Sequence, residues 1–137
     1  MEDAAVLIDS SVWIRSLRRG GPAELKAAVS WAIGAGIVAT CPVVNMELLV
    51  GARDASEFDA LLDSTRGLPE VAITGRVWEG ASRLGYSMRR QGHPLPLTDL
   101  VIAQCAISSQ RVLWHADSHF EQIRRFTELR TRPWNIG

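Results

Sequence analysis

Residues 4–9 read Ala-Ala-Val-Leu-Ile-Asp, an unbroken apolar run closed by a carboxylate. So short a run without polar alternation suits a strand buried on both faces, as in a parallel sheet, rather than a half-exposed antiparallel strand. The chain beyond it alternates helix signals with further runs of this kind. Pro22 opens a segment with Leu25, Ala28, Val29, Ala32 and Ile33 at helical spacing, and Gly34 and Gly36 close it. A second strand is predicted over 37–40, then a helix over 44–50 that stops at Gly51 and a shorter one over 55–64. A third strand is expected over 71–73. Val77, Ala81, Leu84 and Met88 mark one face of a long helix ended by the Gly92-His93-Pro94 loop. Thr98 is read as the N-cap of a helix carrying Ile102, Ala103, Ala106 and Ile107, followed by a strand over 112–114. Ser118 with Glu121 gives a capping-box pattern for a last short helix, and 129–132 is expected as a final edge strand. Helices between short apolar strands predict an α/β fold whose parallel sheet is covered on both faces, with ligands bound beyond the carboxyl ends of its strands.

Composition narrows the function classes. The 137 residues carry 15 acidic and 15 basic side chains, so the formal net charge is zero, and 47% of positions are hydrophobic. That length and apolar content suit a single domain over 1–137 with a real core. Disorder is excluded, and so is a polyanion binder that works by bulk attraction, since that needs an excess of Lys and Arg. Any nucleic-acid contact must be local. Cys41 and Cys105 sit in apolar stretches without metal-ligand spacing and are expected to be buried, reduced thiols of a cytoplasmic protein. The start, MEDAAVLID, lacks a basic region ahead of a long apolar one, so no secretory leader is expected. Positions 27–46 hold no charge, but Ser30, Gly34, Gly36, Thr40, Pro42 and Asn45 break them into helix, turn and strand, and no membrane span is expected.

Four acids fall where such a fold binds ligands. Asp9 follows the first strand, Glu47 lies in the helix after the second, Asp99 opens the helix before 112–114, and Asp117 lies just beyond that strand. Singly, Asp99 and Asp117 could be helix N-terminal carboxylates, and Glu47 an exposed acid. Asp9 is harder to dismiss, because an acid ending a buried strand gains nothing from packing. Brought to one rim, these carboxylates would repel one another and need a cation, and hard oxygen ligands suit Mg²⁺ or Mn²⁺.

LIDSSVWI (7–14), NMELLVG (45–51), PLTDLVIAQCA (96–106) and LWHADSHFEQI (113–123), in this order, resemble the four motif blocks of PIN-domain ribonucleases, in particular the VapC toxins of type II toxin–antitoxin pairs. The resemblance spans almost the whole chain. It implies a PIN-like three-layer α/β/α fold with a central parallel sheet of four to five strands. It also implies Mg²⁺-dependent (Mn²⁺ in its place) cleavage of structured RNA, tRNA or rRNA, by metal-activated water, which inhibits translation and growth. Asp9, Glu47, Asp99 and Asp117 match the family's acidic quartet, with Asp9, Asp99 and Asp117 expected on the metal. Ser10 or Ser11 matches the hydroxyl residue after the first Asp. A homodimer and a VapB-like antitoxin are implied as partners. The chain departs from the pattern at His115, where the family often has Thr, and at His119, where it often has a second Asp.

Several signals lie outside that set. Arg15, Arg18 and Arg19 follow Asp9 closely enough to hold RNA phosphates, alongside Ser10 and Ser11. Further arginines at 89–90, 124–125, 130 and 132 read as solvated faces. His115-Ala-Asp117-Ser-His119 would put three zinc-type ligands on one strand face, but both cysteines lie elsewhere. Trp13 is expected in the core, Trp31 and Trp78 in the core or a subunit interface, and Trp134 in an exposed tail. Two rival phosphoryl-transfer readings fail on single residues. The haloacid-dehalogenase pattern needs Asp where Ser11 stands, and a receiver domain needs a late lysine, whereas the sole lysine is Lys26. A non-catalytic PIN-like binding module would be expected to lack some of the acids.

Overall fold

The computed structural model describes residues 4–135. Four strands, β1 (Val6–Ile8), β2 (Val38–Ala39), β3 (Val112–His115) and β4 (Thr131–Pro133), form one parallel sheet in the order β2-β1-β3-β4. Among the described residues seven helices flank it: α1 (Ser10–Leu17), α2 (Ala23–Gly34), α3 (Pro42–Val50), α4 (Ala55–Arg66), α5 (Gly75–Arg90), α6 (Leu97–Ser108) and α7 (Ser118–Arg124). Successive side chains of β1 point to opposite faces, yet Val6, Leu7 and Ile8 are all buried. Both faces are therefore covered, which gives the expected α/β/α layering. The central strand explains why the opening apolar run lacks alternation.

Chain direction then sets the location of any site. β2 and β3 lie on opposite sides of β1, so the connections diverge and leave a crevice beyond the carboxyl ends of β1 and β3. The amide of Asp9 donates to the Trp114 carbonyl (2.9 Å), fixing the two strand ends side by side. The uncharged 27–46 stretch divides as expected into the end of α2, a turn at Gly36 (φ +73°), β2 and the start of α3. Among the described residues no helix is long and apolar enough to cross a membrane. Cys41 and Cys105 are both free and buried, and they contact each other. Their mutual hydrogen bond and burial push the Cys105 thiol up.

Several local expectations are corrected. Residues 71–73 form no strand; a lone bridge joins Thr40 to Glu70, and only the Val71 amide reaches back to the Thr40 carbonyl. α6 begins at Leu97 with Pro96 as its cap residue, so Thr98 lies inside the helix. Asp117, not Ser118, caps α7 by accepting from the His119 amide. The final strand is displaced to Thr131–Pro133. α1 has no counterpart in the sequence reading. Asp9 starts it by accepting from the Ser11 amide, and the burial of Val12 and Trp13 holds it. Trp31 and Trp78 are 56% and 52% exposed and so do not belong to the core. Trp134 is half-buried against the core, with its ring near that of Trp114.

Candidate metal centre

Each of the four acids is placed by an element that ends or begins at the crevice. Asp9 caps α1 and is buried, and its Oδ2 accepts from the Ser11 amide (3.0 Å) and from the Ser11 hydroxyl. That hydroxyl in turn accepts from the Ala116 amide at 2.9 Å, so Ser11 ties the end of β1 to the turn after β3. Asp117 caps α7 from that turn, and Asp99 sits buried in the first turn of α6. A single imidazole joins the last two: His119 Nδ1 lies 2.8 Å from Asp99 Oδ2 and 3.3 Å from Asp117 Oδ1. Glu47, half-buried on α3, accepts from the Ser10 hydroxyl at 3.0 Å.

The carboxylates feel one another. Burial pushes the Asp9 carboxyl above its ordinary range; bonds from Ser11 and Ser10 pull it down, and the charge of Asp117 adds to the rise. Glu47 is also raised, first by burial and then by Asp9, Asp99 and Asp117, against the bond from Ser10. Asp99 is raised by burial and by Asp117 and Asp9, against its bond to His119. Among the described residues no Lys or Arg forms an ion pair with any of the four. The helix N-termini at Asp9, Asp99 and Asp117 supply only partial positive charge. The crevice is thus an acidic site without a paired Lys or Arg, the environment that a bound cation would relieve.

A metal ion fits the donors present. Asp99, Asp117 and His119 each offer a ligand atom, and the three atoms lie within 4.8 Å of one another. Asp9, expected as a direct ligand, is not in this tightest set; its Oδ2 accepts from Ser11. His119 takes the third place. It is not among the acids expected on the metal, but its spacing two residues beyond Asp117 already marked it as a donor of the zinc type. His115 does not complete a zinc set. It is 2% exposed and directed to Glu121, 2.7 Å away, so the two histidines flanking Asp117 serve different partners.

The expected RNA contacts separate into two groups. Ser10 and Ser11 have hydroxyls engaged on Glu47, Asp9 and Ala116. Arg15 turns back to the Ser11 carbonyl at 2.7 Å. Arg18 and Arg19 are exposed and line a groove of about 930 Å³ that also contains Glu47, so basic side chains and an acid of the quartet share one depression. A smaller hollow of about 430 Å³, lined by Leu49, Val50 and Phe58, touches none of the four acids. The remaining arginines of the sequence reading are exposed, as solvated faces are, and some of them are also engaged. Arg132 stacks over Trp114 and Trp134, 4.6 and 4.3 Å from the ring centres, and Arg130 donates to the Gln110 carbonyl at 2.6 Å.

Known proteins share both the sequence and this architecture. The family model described as PIN domain matches residues 6–126. Ribonuclease VapC18 of Mycobacterium tuberculosis is 27% identical over 124 residues, covering 88% of each chain. Ribonuclease VapC11 of the same organism is 29% identical over 127 residues, covering 90% of this chain and 95% of that one. Among solved structures, VapBC2 from Rickettsia felis, bound to a DNA fragment from its promoter, superposes with a TM-score of 0.79. That match covers 95% of this chain and 98% of the other at 16% identity, a likeness that speaks for the fold alone. With a sheet order that gathers four acids at one crevice and a family model matched from the first strand to beyond the last helix, the chain belongs to the PIN domain family.

Proposed function

We propose that this chain is a metal-dependent endoribonuclease, the toxin of a type II toxin–antitoxin pair, which cleaves structured RNA such as tRNA or rRNA and so inhibits translation and growth. The observation that carries the proposal is the convergence of Asp9, Glu47, Asp99 and Asp117, with no Lys or Arg among the described residues paired to any of them. Asp99, Asp117 and His119 would hold the ion, Mg²⁺ or Mn²⁺; the imidazole nitrogen favours Mn²⁺, since nitrogen donors raise affinity for transition metals over Mg²⁺. A divalent ion bound there supplies a more acidic water and neutralises charge on a phosphoryl oxygen. Asp9 and Glu47 complete the site from the β1 and α3 sides, accepting hydrogen bonds from water at the reacting phosphate. Arg18 and Arg19 neutralise neighbouring phosphates along the groove, which places the strand without reading its sequence. No side chain serves as a covalent nucleophile.

The relatives named ribonuclease and the VapBC neighbour support the RNA substrate and a VapB-like antitoxin as partner. The exposed Trp31 and Trp78 support a homodimer, since aromatic residues of that size are enriched in interfaces. We place the protein in the cytoplasm, as one PIN-like domain over 1–137. The test is purified protein incubated with total RNA in Mg²⁺, Mn²⁺ or EDTA, beside Asp99→Asn. Cleavage with metal, lost in EDTA and in the variant, is expected. Undiminished cleavage by Asp99→Asn would overturn the proposal.

A further inference from the structure

We propose that His115 is a positioning residue that transmits the anchorage of Glu121 to the backbone of Asp117 and so sets where the Asp117 carboxylate stands; this rests on Asp117 being part of the metal centre. The bonds determine the state of the ring. The amide of Asp117 can only donate, and it donates to His115 Nδ1 at 3.1 Å, so that nitrogen carries no proton. The ring proton is therefore on Nε2, which donates to Glu121 Oε2 at 2.7 Å. Glu121 is itself held from another strand and from within its own helix. Its Oε2 also accepts from the Thr131 hydroxyl of β4 (2.6 Å), and its Oε1 accepts from Arg124 Nε (2.8 Å).

The turn bearing Asp117 is thus fixed from several directions. The Ala116 amide goes to Ser11, the Asp117 amide to His115 and the His119 amide to Asp117 itself. The His115 carbonyl accepts from Trp134 at 2.8 Å, and its ring packs against Phe120 with centroids 5.2 Å apart. Burial requires both ring nitrogens to be satisfied, and here one of the two partners is the backbone of the capping acid itself. Oriented partners behind a ligand generally matter to metal affinity by about 10–100-fold when removed.

Two amide substitutions separate the two ring nitrogens. His115→Asn keeps an acceptor near the Nδ1 position but cannot reach Glu121. His115→Gln reaches Glu121 but leaves the Asp117 amide without its acceptor. The readout is Mn²⁺ binding to the metal-free full-length chain by titration calorimetry, with cleavage of total RNA in saturating Mn²⁺ alongside. Because the relay needs both bonds, each variant is expected to weaken Mn²⁺ binding about tenfold relative to the wild-type protein. Wild-type Mn²⁺ affinity in either folded variant would overturn the inference. Asp99→Asn distinguishes the two failures, because retained cleavage there removes the metal-centre reading itself. Should neither His115 variant fold, the ¹⁵N ring shifts of the wild-type protein decide: a proton on Nε2 alone supports the relay, and a proton on Nδ1 overturns it.

Discussion

Replacing Ser11 by Ala removes one oxygen that makes two structural bonds. Its hydroxyl donates to the buried Asp9 carboxylate and accepts from the Ala116 amide at 2.9 Å, linking the ends of β1 and β3 on which the crevice depends. Hydrogen bonds to charged groups contribute about 1.5–3 kcal/mol, and a buried amide left without an acceptor costs about 1–3 kcal/mol. Asp9 retains the Ser11 backbone N–H, at 3.0 Å, so its helix-capping role survives and the lower parts of both ranges apply. The expected loss is about 2–4 kcal/mol. Ser10→Ala is the internal control, since that hydroxyl makes one bond, to half-buried Glu47 at 3.0 Å, and should cost about 0.5–1.5 kcal/mol. Urea denaturation at neutral pH in EDTA reads both, and Ser11→Ala should lower the midpoint by at least about 1 M. The same loss would raise the Asp9 carboxyl further, because that bond is the largest influence pulling it down. If Ser11→Ala is no more destabilising than Ser10→Ala, the reasoning that Ser11 joins the two strand ends is wrong.

The raised carboxyls also make stability depend on pH. Asp9, Glu47 and Asp99 hold protons more tightly in the folded than in the unfolded chain, whose ordinary values are 3.8, 4.5 and 3.8. Stability of the metal-free protein should therefore fall as pH rises from those values through the raised ones. Glu121 acts oppositely. Burial pushes it up, but bonds from Thr131, His115 and Arg124 prevail and bring it from 4.5 to about 2, so its contribution, roughly 1–2 kcal/mol after solvent screening, is lost as pH falls through that range. Denaturation in EDTA should show a mildly acidic optimum, with Mn²⁺ restoring stability at neutral pH; a steady rise to neutral pH without metal would contradict this. His119→Asp should lower the preference for Mn²⁺ over Mg²⁺ on the order of tenfold in competition titrations, and an unchanged ratio would remove the imidazole from the donor set. Reversing Arg18 and Arg19 to Glu should raise KM for RNA and flatten its salt dependence by about two in log–log slope while leaving Mn²⁺ binding intact. Unaltered cleavage kinetics would remove the groove from the RNA path.

Local pattern carried the fold a long way. The apolar run before Asp9, the glycines after Ile33 and the stripe Val77–Ala81–Leu84–Met88 are each legible, because burial imposes a period within a few residues. Where local preference was weak, the reading failed. Ser, Val, Trp and Ile are indifferent helix formers, so α1 depends on its Asp9 cap and on Val12 and Trp13 finding the core. Val71 and Ile73 favour a strand, but the segment meets only a single bridge at its start and has no ladder to join. Exposure of Trp31 and Trp78 could not be read from their apolar neighbours, since which helix face meets the sheet depends on distant elements.

The sequence alone determined that a parallel, doubly covered sheet would form and that Asp9, Glu47, Asp99 and Asp117 stand at element ends, because both follow from short-range patterning. The tertiary structure decided the rest. The order β2-β1-β3-β4 brings residues separated by tens of positions to one rim, and the turn after β3 directs His119 towards Asp99 and His115 towards Glu121. Two histidines four residues apart thus acquire different work, since a side chain's partner is fixed by which backbones pack beside it and not by its own spacing.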